Sequence, residues 1–256
     1  HAAIAIANGG AVSIVRSSVD GITADGNSSV YLDSSTVKSA TFSATGTFTA
    51  KDSTVVFYLY ASAMSVSGNF SASGSIFSSK NTSNELSLYL SGTANPADGC
   101  SFSNIATNTR TAASEIDLDG CSFAGGRVLK AAGNDADTVG QTARIRNCTA
   151  TNSTITGMAA FAITANKLIL SGCEFPATST VKCGSAEITH NVLGSVTMRT
   201  DFARSVTAFY LDGSTSDHAA TSITFSNCIQ GHVTGNRSSG SITLYGYYPG
   251  AVVDVL

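Results

Sequence analysis

The sequence predicts an all-β chain wound as a single-stranded parallel β-helix, a β-solenoid of about twelve coils, and three observations predict it. A motif of the form apolar–x–apolar–x–[Gly/Asn/Ser]–[Cys/Ser/Asn]–x–apolar returns about a dozen times. The clearest copies are Ile116-Asp117-Leu118-Asp119-Gly120-Cys121-Ser122-Phe123 and Leu168-Ile169-Leu170-Ser171-Gly172-Cys173-Glu174-Phe175. Two-residue alternation inside each copy is the strand period, and its return at about 14 to 28 residues, with a mean of about 21, is a solenoid period. Composition agrees. Charged residues are 12% of the 256, against about 25% in an average domain, and helix-forming Glu and Lys are scarce. An apolar content of 43% excludes a disordered chain, while 24 glycines and three prolines suit short strands joined by tight turns.

With the Cys site as position zero, the copies align at Ser17, Ser35, Ser53, Asn69, Thr93, Cys121, Cys148, Cys173, Asn191, Ser214, Cys228 and Tyr247. Ahead of each sits an apolar pair. The pairs run Val12/Ile14, Val30/Leu32, Phe48/Ala50, Met64/Val66, Leu88/Leu90, Ile116/Leu118, Ala143/Ile145, Leu168/Leu170, Ala186/Ile188, Phe209/Leu211, Ile223/Phe225 and Ile242/Leu244. Side chains two apart on a strand share a face, so these pairs are expected to stack as rows inside the coil. The residues between them face outward in two columns. The register makes neighbours of Asp33 and Lys51, Asp117 and Arg144, and Asp119 and Arg146. Adjacent strands lie about 4.8 Å apart, so these are ladder pairs, and twelve coils make a stack about 50–60 Å long. The longer coils between Asn69 and Cys173 place their surplus, such as Ala131–Asp137, in loops off one side.

Of the six cysteines, Cys121, Cys148, Cys173 and Cys228 share the zero column, which reads as a buried row of small apolar side chains. Disulfides between neighbouring coils are the alternative. Cys100 and Cys183 fall off this column in the alignment. A net charge of −3 without a Lys/Arg cluster argues against a nucleic-acid partner, and no apolar run reaches the 18 or so residues of a membrane span. The chain opens at His1 without a Met and reads as one β-helix domain over 1–256, a processed or excised part of a longer protein. Its first and last segments are apolar and suit burial against flanking domains or other subunits.

The [Gly/Asn]-Cys-x-Phe coils resemble the right-handed parallel β-helix of pectin-lyase-like proteins, a superfamily of pectate lyases, polygalacturonases, phage tailspikes and bacterial adhesins. The resemblance covers nearly the whole chain and is architectural. It implies a right-handed coil; the hexapeptide of left-handed β-helices is absent. The superfamily's polygalacturonase motifs are not reproduced: Arg144-Ile145-Arg146 precedes Gly231-His232-Val233, the reverse order, and the acidic motifs are missing.

Catalytic candidates lie on the acidic strand Glu115-Ile116-Asp117-Leu118-Asp119. Asp117 and Asp119 share its outward side about 6–7 Å apart, close to the spacing of inverting glycosidases. Arg144 and Arg146 on the next coil offer cations to an acidic sugar, with Glu115 beside them. The same arginines hold both aspartates ionised, which works against a proton donor and favours a structural ladder. Tyr31, Tyr89 and Tyr210 align in one outward column, where rings can stack on sugar faces, though strand tyrosines with wet hydroxyls are common. The four histidines show no metal-ligand spacing, and no cofactor is expected.

These features predict a structural and recognition module of a phage tail fibre or tailspike, or of a bacterial adhesin. It would lie outside the cell, bind a cell-surface glycan, and assemble as a homotrimer or within a longer chain. A polysaccharide lyase or glycoside hydrolase acting through Asp117 and Asp119 on an acidic polysaccharide is the alternative.

Overall fold

The corner between strands decides how this chain winds. A left-handed backbone recurs at the corners, in the residue just before a zero site, from Arg16 (φ 47°), Ser34 (φ 49°) and Asp52 (φ 46°) through Gly120 (φ 59°) and Asn147 (φ 51°) to Gly172 (φ 63°) and His190 (φ 54°). Gly and Asn tolerate this conformation best, which is why the motif places them there. Each corner N–H donates to the carbonyl two residues before the zero site of the next coil: Arg16 to Asp33 at 2.9 Å, Gly99 to Asp119 at 2.8 Å, Asn147 to Ser171 at 2.9 Å. The turn is thereby locked to its neighbour as well as to its own strand.

A computed structural model describes residues 3–43, 46–58, 63–80, 86–90, 92–109, 115–124, 142–151, 161–175, 179–193, 196–199, 208–212, 215–216, 223–226, 230–234, 237–238, 242–245 and 252–255; past Asn191 it describes backbone pairing. All described secondary structure is strand, and the pairings are parallel, so the chain is a β-solenoid as predicted. One wall is a 15-stranded sheet beginning at Ala11–Val15, a second is a 13-stranded sheet beginning at Ala3–Ile6, and a third is a three-stranded sheet of Ala63–Val66, Leu86–Leu90 and Ile105–Thr109. No described helix is long and apolar enough to cross a membrane.

The interior fills as the alternation requires. Val30, Leu32, Phe48, Ala50, Ile116, Leu118, Ala143, Ile145, Leu168 and Leu170 are all buried. Across from them stands a phenylalanine ladder two residues past the zero sites: Phe77 and Phe102 with ring centres 5.2 Å apart, then Phe102 and Phe123, also 5.2 Å apart and 7° from parallel. Stacked rings on successive coils combine area burial with a favourable offset geometry.

Two stretches sit in a different register from the one the sequence suggests. Met64/Val66 and Leu88/Leu90 pair with each other in the three-stranded sheet. Their places in the long sheet belong to Phe70/Ala72, paired with Phe48/Ala50, and to Asn95/Ala97, paired with Ile116/Leu118. The zero sites of these coils are therefore Ser75 and Cys100, both buried, while Asn69 and Thr93 are exposed. Farther along, Phe161–Ser171 and Ser179–Thr189 are 11-residue strands paired to each other along their length, and the two halves of Ser179–Thr189 go on to different partners. The half carrying Val181 continues through Met198, Phe225 and Leu244. The half carrying Ile188 continues through Leu211, Val233 and Val255. The Ile223/Phe225 and Ile242/Leu244 pairs thus follow a separate line from the Ala186/Ile188 row, and Ser214, Cys228 and Tyr247 lie outside the described residues.

A second stack depends on having no side chain. Gly68 donates its N–H to the carbonyl of Gly46 at 3.1 Å, and a Cβ built on Gly68 would stand 2.8–2.9 Å from backbone atoms of Gly46 and Thr47. Backbone cannot step aside as a flexible side chain can. Gly68→Ala is expected to destabilise the fold by about 1–3 kcal/mol, the usual cost of overpacking, measured by urea unfolding. A loss below about 0.5 kcal/mol would show that the coils can spread at this point.

Candidate functional site

The outward face of the long sheet gathers most of the charge in its described strands. Glu115, Asp117 and Asp119 pair in register with Thr142, Arg144 and Arg146, so the two predicted ladder neighbourhoods on this strand are real; so is Asp33 beside Lys51. The contacts, however, run diagonally as well as straight across. Arg144 Nη1 reaches Glu115 Oε2 at 2.9 Å, and Arg146 Nη2 reaches Asp117 Oδ1 at 2.9 Å while its Nε donates to Asp119 Oδ2 at 3.2 Å. Long side chains lean along the strand, which carries each guanidinium two residues back from its register partner. One guanidinium therefore bridges Asp117 and Asp119. Asn147, held in its corner, donates to the other oxygen of Asp119 at 2.8 Å, so Asp119 has both oxygens engaged. With side chains 35–42% exposed, each pair contributes at most about 1 kcal/mol.

Register also brings Asp98 beside Asp119 and Pro96 beside Asp117. The alignment missed Asp98 because it placed Leu88-Tyr89-Leu90 on this coil. The signal was present in Ala97-Asp98-Gly99-Cys100-Ser101-Phe102, a full copy of the corner motif, but polar Asn95 occupies its first apolar slot. Asp98, Glu115, Asp117 and Asp119 thus share a face with Arg144, Arg146 and Asn147. Among the described residues no three His, Cys, Asp or Glu side chains converge so as to hold a metal ion. A second ladder pair joins the first coils elsewhere: Lys38 Nζ lies 2.8 Å from Asp20 Oδ1, and its hydrogen bond lowers the Asp20 pKa below the ordinary value.

The predicted tyrosine column divides. Tyr31 stands between Ser13 and Thr49, and Tyr210 lies farther along the same column beside Glu187 and His232. Tyr89 is not in it; it pairs with Ser65 and Asn108 in the three-stranded sheet. Tyr31 is 40% exposed at an open groove of about 330 Å³ lined by Val12, Ser13, Ser29, Thr47 and Thr49 among others. Tyr58, 45% exposed, borders a comparable groove of about 350 Å³ on the 13-stranded wall with Thr23, Ser39 and Thr41.

The zero column holds the remaining reactive groups. Ser17, Ser35, Ser53 and Ser75 stack so that each N–H of the first three donates to the next hydroxyl at 3.1 Å. Cys100, Cys121, Cys148 and Cys173 continue the column as buried free thiols, and Asn191 follows them, accepting from the Cys173 N–H at 2.8 Å. Cys100 therefore belongs to the column, contrary to the alignment; Cys228 lies outside the described residues. Each thiol turns toward the carbonyl two residues back, at 3.1 Å for Cys148 and 3.4 Å for Cys121, as Ser35 and Ser53 do at 2.7 Å. Neighbouring thiols also shift one another's ionisation. Donation to Cys121, with burial, pushes the Cys100 pKa well up. Acceptance from Cys100 lowers that of Cys121, but donation to Cys148 and burial outweigh it and push it up to about 12. Cys148 stands at about 12 by the same balance, while Cys173, which accepts from Cys148, has its pKa lowered.

The chain matches no protein-family model, no curated protein and no solved structure.

Proposed function

We propose that this chain is a glycan-recognition module of a virion tail or bacterial surface, built on a right-handed β-helix of the pectin-lyase-like kind. It acts as a rigid shaft that presents side-chain columns to a cell-surface polysaccharide, as a homotrimer or within a longer chain. The observation that supports this best is Tyr31, 40% exposed beside a groove lined by Ser13, Ser29, Thr47 and Thr49 among others. An aromatic face takes the C–H side of a sugar ring while surrounding hydroxyls meet its polar edge. Regular strand spacing suits a repeating ligand, because successive coils offer similar contacts at about 4.8 Å.

The test is binding of the full chain to a panel of bacterial surface polysaccharides, with Tyr31→Ala beside the parent. Loss of one stacked ring is expected to weaken binding about three- to tenfold while leaving the unfolding transition in place. Unchanged affinity, or no ligand in the panel, would remove this reading. Light scattering adds a second check: a mass near three times 26.0 kDa supports the trimer, and a monomer counts against it.

The acidic face supports a second reading, cleavage of an acidic polysaccharide, because Asp98, Glu115, Asp117 and Asp119 lie together with two arginines. Arg146 would have to release Asp117 and Asp119 to substrate. Asp117→Asn is expected to abolish depolymerisation under that reading and to leave binding at Tyr31 unchanged under the first.

A further inference from the structure

Four consecutive coils bring free thiols into one buried line, and a thiol adds nothing to the corner that serine does not already supply. Ser35 and Ser53 bond the carbonyl two residues back at 2.7 Å, whereas Cys100 and Cys121 sit 3.4 Å from theirs. Sulfur, however, can join to sulfur. We propose that this column is an oxidation site at which successive coils become linked by two disulfides, Cys100 with Cys121 and Cys148 with Cys173.

The geometry supports it on three counts. Equivalent residues of adjacent coils lie about 4.8 Å apart, inside the roughly 4.4–6.8 Å between Cα atoms that disulfides accept. The backbone beside the column is bonded coil to coil, Ser122 N–H to the Cys100 carbonyl at 2.8 Å, Thr149 to Cys121 at 2.9 Å and Glu174 to Cys148 at 2.9 Å, so each thiol has the next coil's thiol as its neighbour in the buried column. The line is also bounded: Ser75 precedes it and Asn191 follows it, and neither can pair. Of the three neighbouring contacts only the outer two can oxidise together. Linking Cys121 with Cys148 instead would strand Cys100 and Cys173 at opposite ends.

The oxidant is a small disulfide such as oxidised glutathione. The Cys173 thiolate attacks one glutathione sulfur, the glutathione S–S bond breaks, and one glutathione leaves with the proton that Cys173 gave up. The Cys148 thiolate then attacks the Cys173 sulfur of the mixed disulfide, and the second glutathione leaves with the Cys148 proton. Two electrons pass to glutathione for each disulfide formed. The second pair follows the same two steps. The finished coil hides these sulfurs, each at most 1% exposed, so exchange belongs to the stage when the coils are closing. The links would close the chain across coils longer than the 18-residue first ones, where extra residues are inserted. This inference stands apart from what the surface binds.

The full chain is refolded from denaturant in a reduced/oxidised glutathione buffer, quenched with acid, alkylated in denaturant so that buried thiols are reached, digested without reductant and mapped by mass spectrometry. Expected is loss of four alkylatable thiols, with peptides joined Cys100–Cys121 and Cys148–Cys173. In Cys148→Ser, which installs the residue this column uses elsewhere, Cys173 is expected to stay alkylatable while Cys100–Cys121 still forms. All six thiols alkylatable in the refolded solenoid, or links scattered to Cys183 and Cys228, would overturn the proposal. If refolding yields aggregate, the chain is secreted into an oxidising bacterial periplasm and mapped in the same way. The same two links support the proposal there, and free thiols in the folded secreted chain reject it.

Discussion

Replacing Asn95 with aspartate is expected to cost about 3–5 kcal/mol at neutral pH, enough to unfold many domains of ordinary stability. Asn95 is 1% exposed and occupies a core row, in register with Ile116. Its carboxamide serves three backbone groups at once. The oxygen accepts from the Phe70 N–H at 3.3 Å, and the nitrogen donates to the carbonyls of Gly92 and Glu115, each at 2.8 Å. Two carbonyls require donors and one N–H requires an acceptor, so only an amide satisfies all three. Aspartate keeps the acceptor, removes both donors and sets a buried negative charge against two carbonyl oxygens. The cost should depend on pH with a definite sign. Burial raises the folded-state pKa of the new carboxyl above about 3.9 in the unfolded chain, so the folded state binds the proton more tightly. Stability of the variant therefore falls as pH rises through the folded pKa and recovers part of the loss below it. Asn95→Leu also orphans the three backbone groups but carries no charge, and its deficit should not change with pH. Urea unfolding at pH 4 and pH 7 separates the two. An aspartate variant within about 1 kcal/mol of the parent at pH 7 would mean that Asn95 reaches solvent.

Asn95 also explains why part of the register was hard to read. Rows built from branched or aromatic pairs, such as Val30/Leu32 and Ile116/Leu118, were legible because period-two alternation is loud when both inward residues are large. The corner motif was legible for a separate reason, since a left-handed residue followed by a small buried one favours few residue types. Where the inward pair is Phe70/Ala72 or Asn95/Ala97, alanine and asparagine carry almost no apolar signal. The louder Met64/Val66 and Leu88/Leu90, which line a third wall, took their place. That substitution misplaced Tyr89 and hid Asp98 and Cys100 together. Strand Ser179–Thr189 misled in another way. Its two halves feed different lines of pairing, and alternation alone cannot say which half a later strand joins. The acidic face and its arginines were legible from register. The diagonal contacts, with Arg146 across both Asp117 and Asp119, were not, because they depend on how far a guanidinium reaches.

Phe102→Ala is expected to destabilise the chain by about 3–5 kcal/mol, with Phe102→Leu costing less than about 1.5. Phe102 is 1% exposed, between Phe77 (18° between ring planes) and Phe123 (7°). Truncation removes the area the ring buries and leaves a cavity, since the flanking rings are held by their own strands and cannot close in. Position along the stack should matter as well. A solenoid is stabilised mainly by interfaces between neighbours, so a mid-stack lesion weakens two interfaces, whereas truncating Val19 near the start, at 8% exposure, frays an end. Calorimetry would register the difference as a larger fall in melting temperature for Phe102→Ala than for Val19→Ala; equal falls would contradict nearest-neighbour coupling. The lesion also bears on the outward face. Phe123 shares its coil with Asp117 and Asp119, four and two residues before the Cys121 corner, so slack at Phe102 reaches the strand that Arg146 clasps. Tyr31 stands several coils away, and substitutions with no shared partners combine additively. In the folded fraction of Phe102→Ala, ligand binding at Tyr31 is therefore expected to keep the parent's affinity, whereas any activity resting on the Asp117 face should decline with the lost packing. A parallel fall in both would mean that the stack transmits strain over several coils, as one rigid rod.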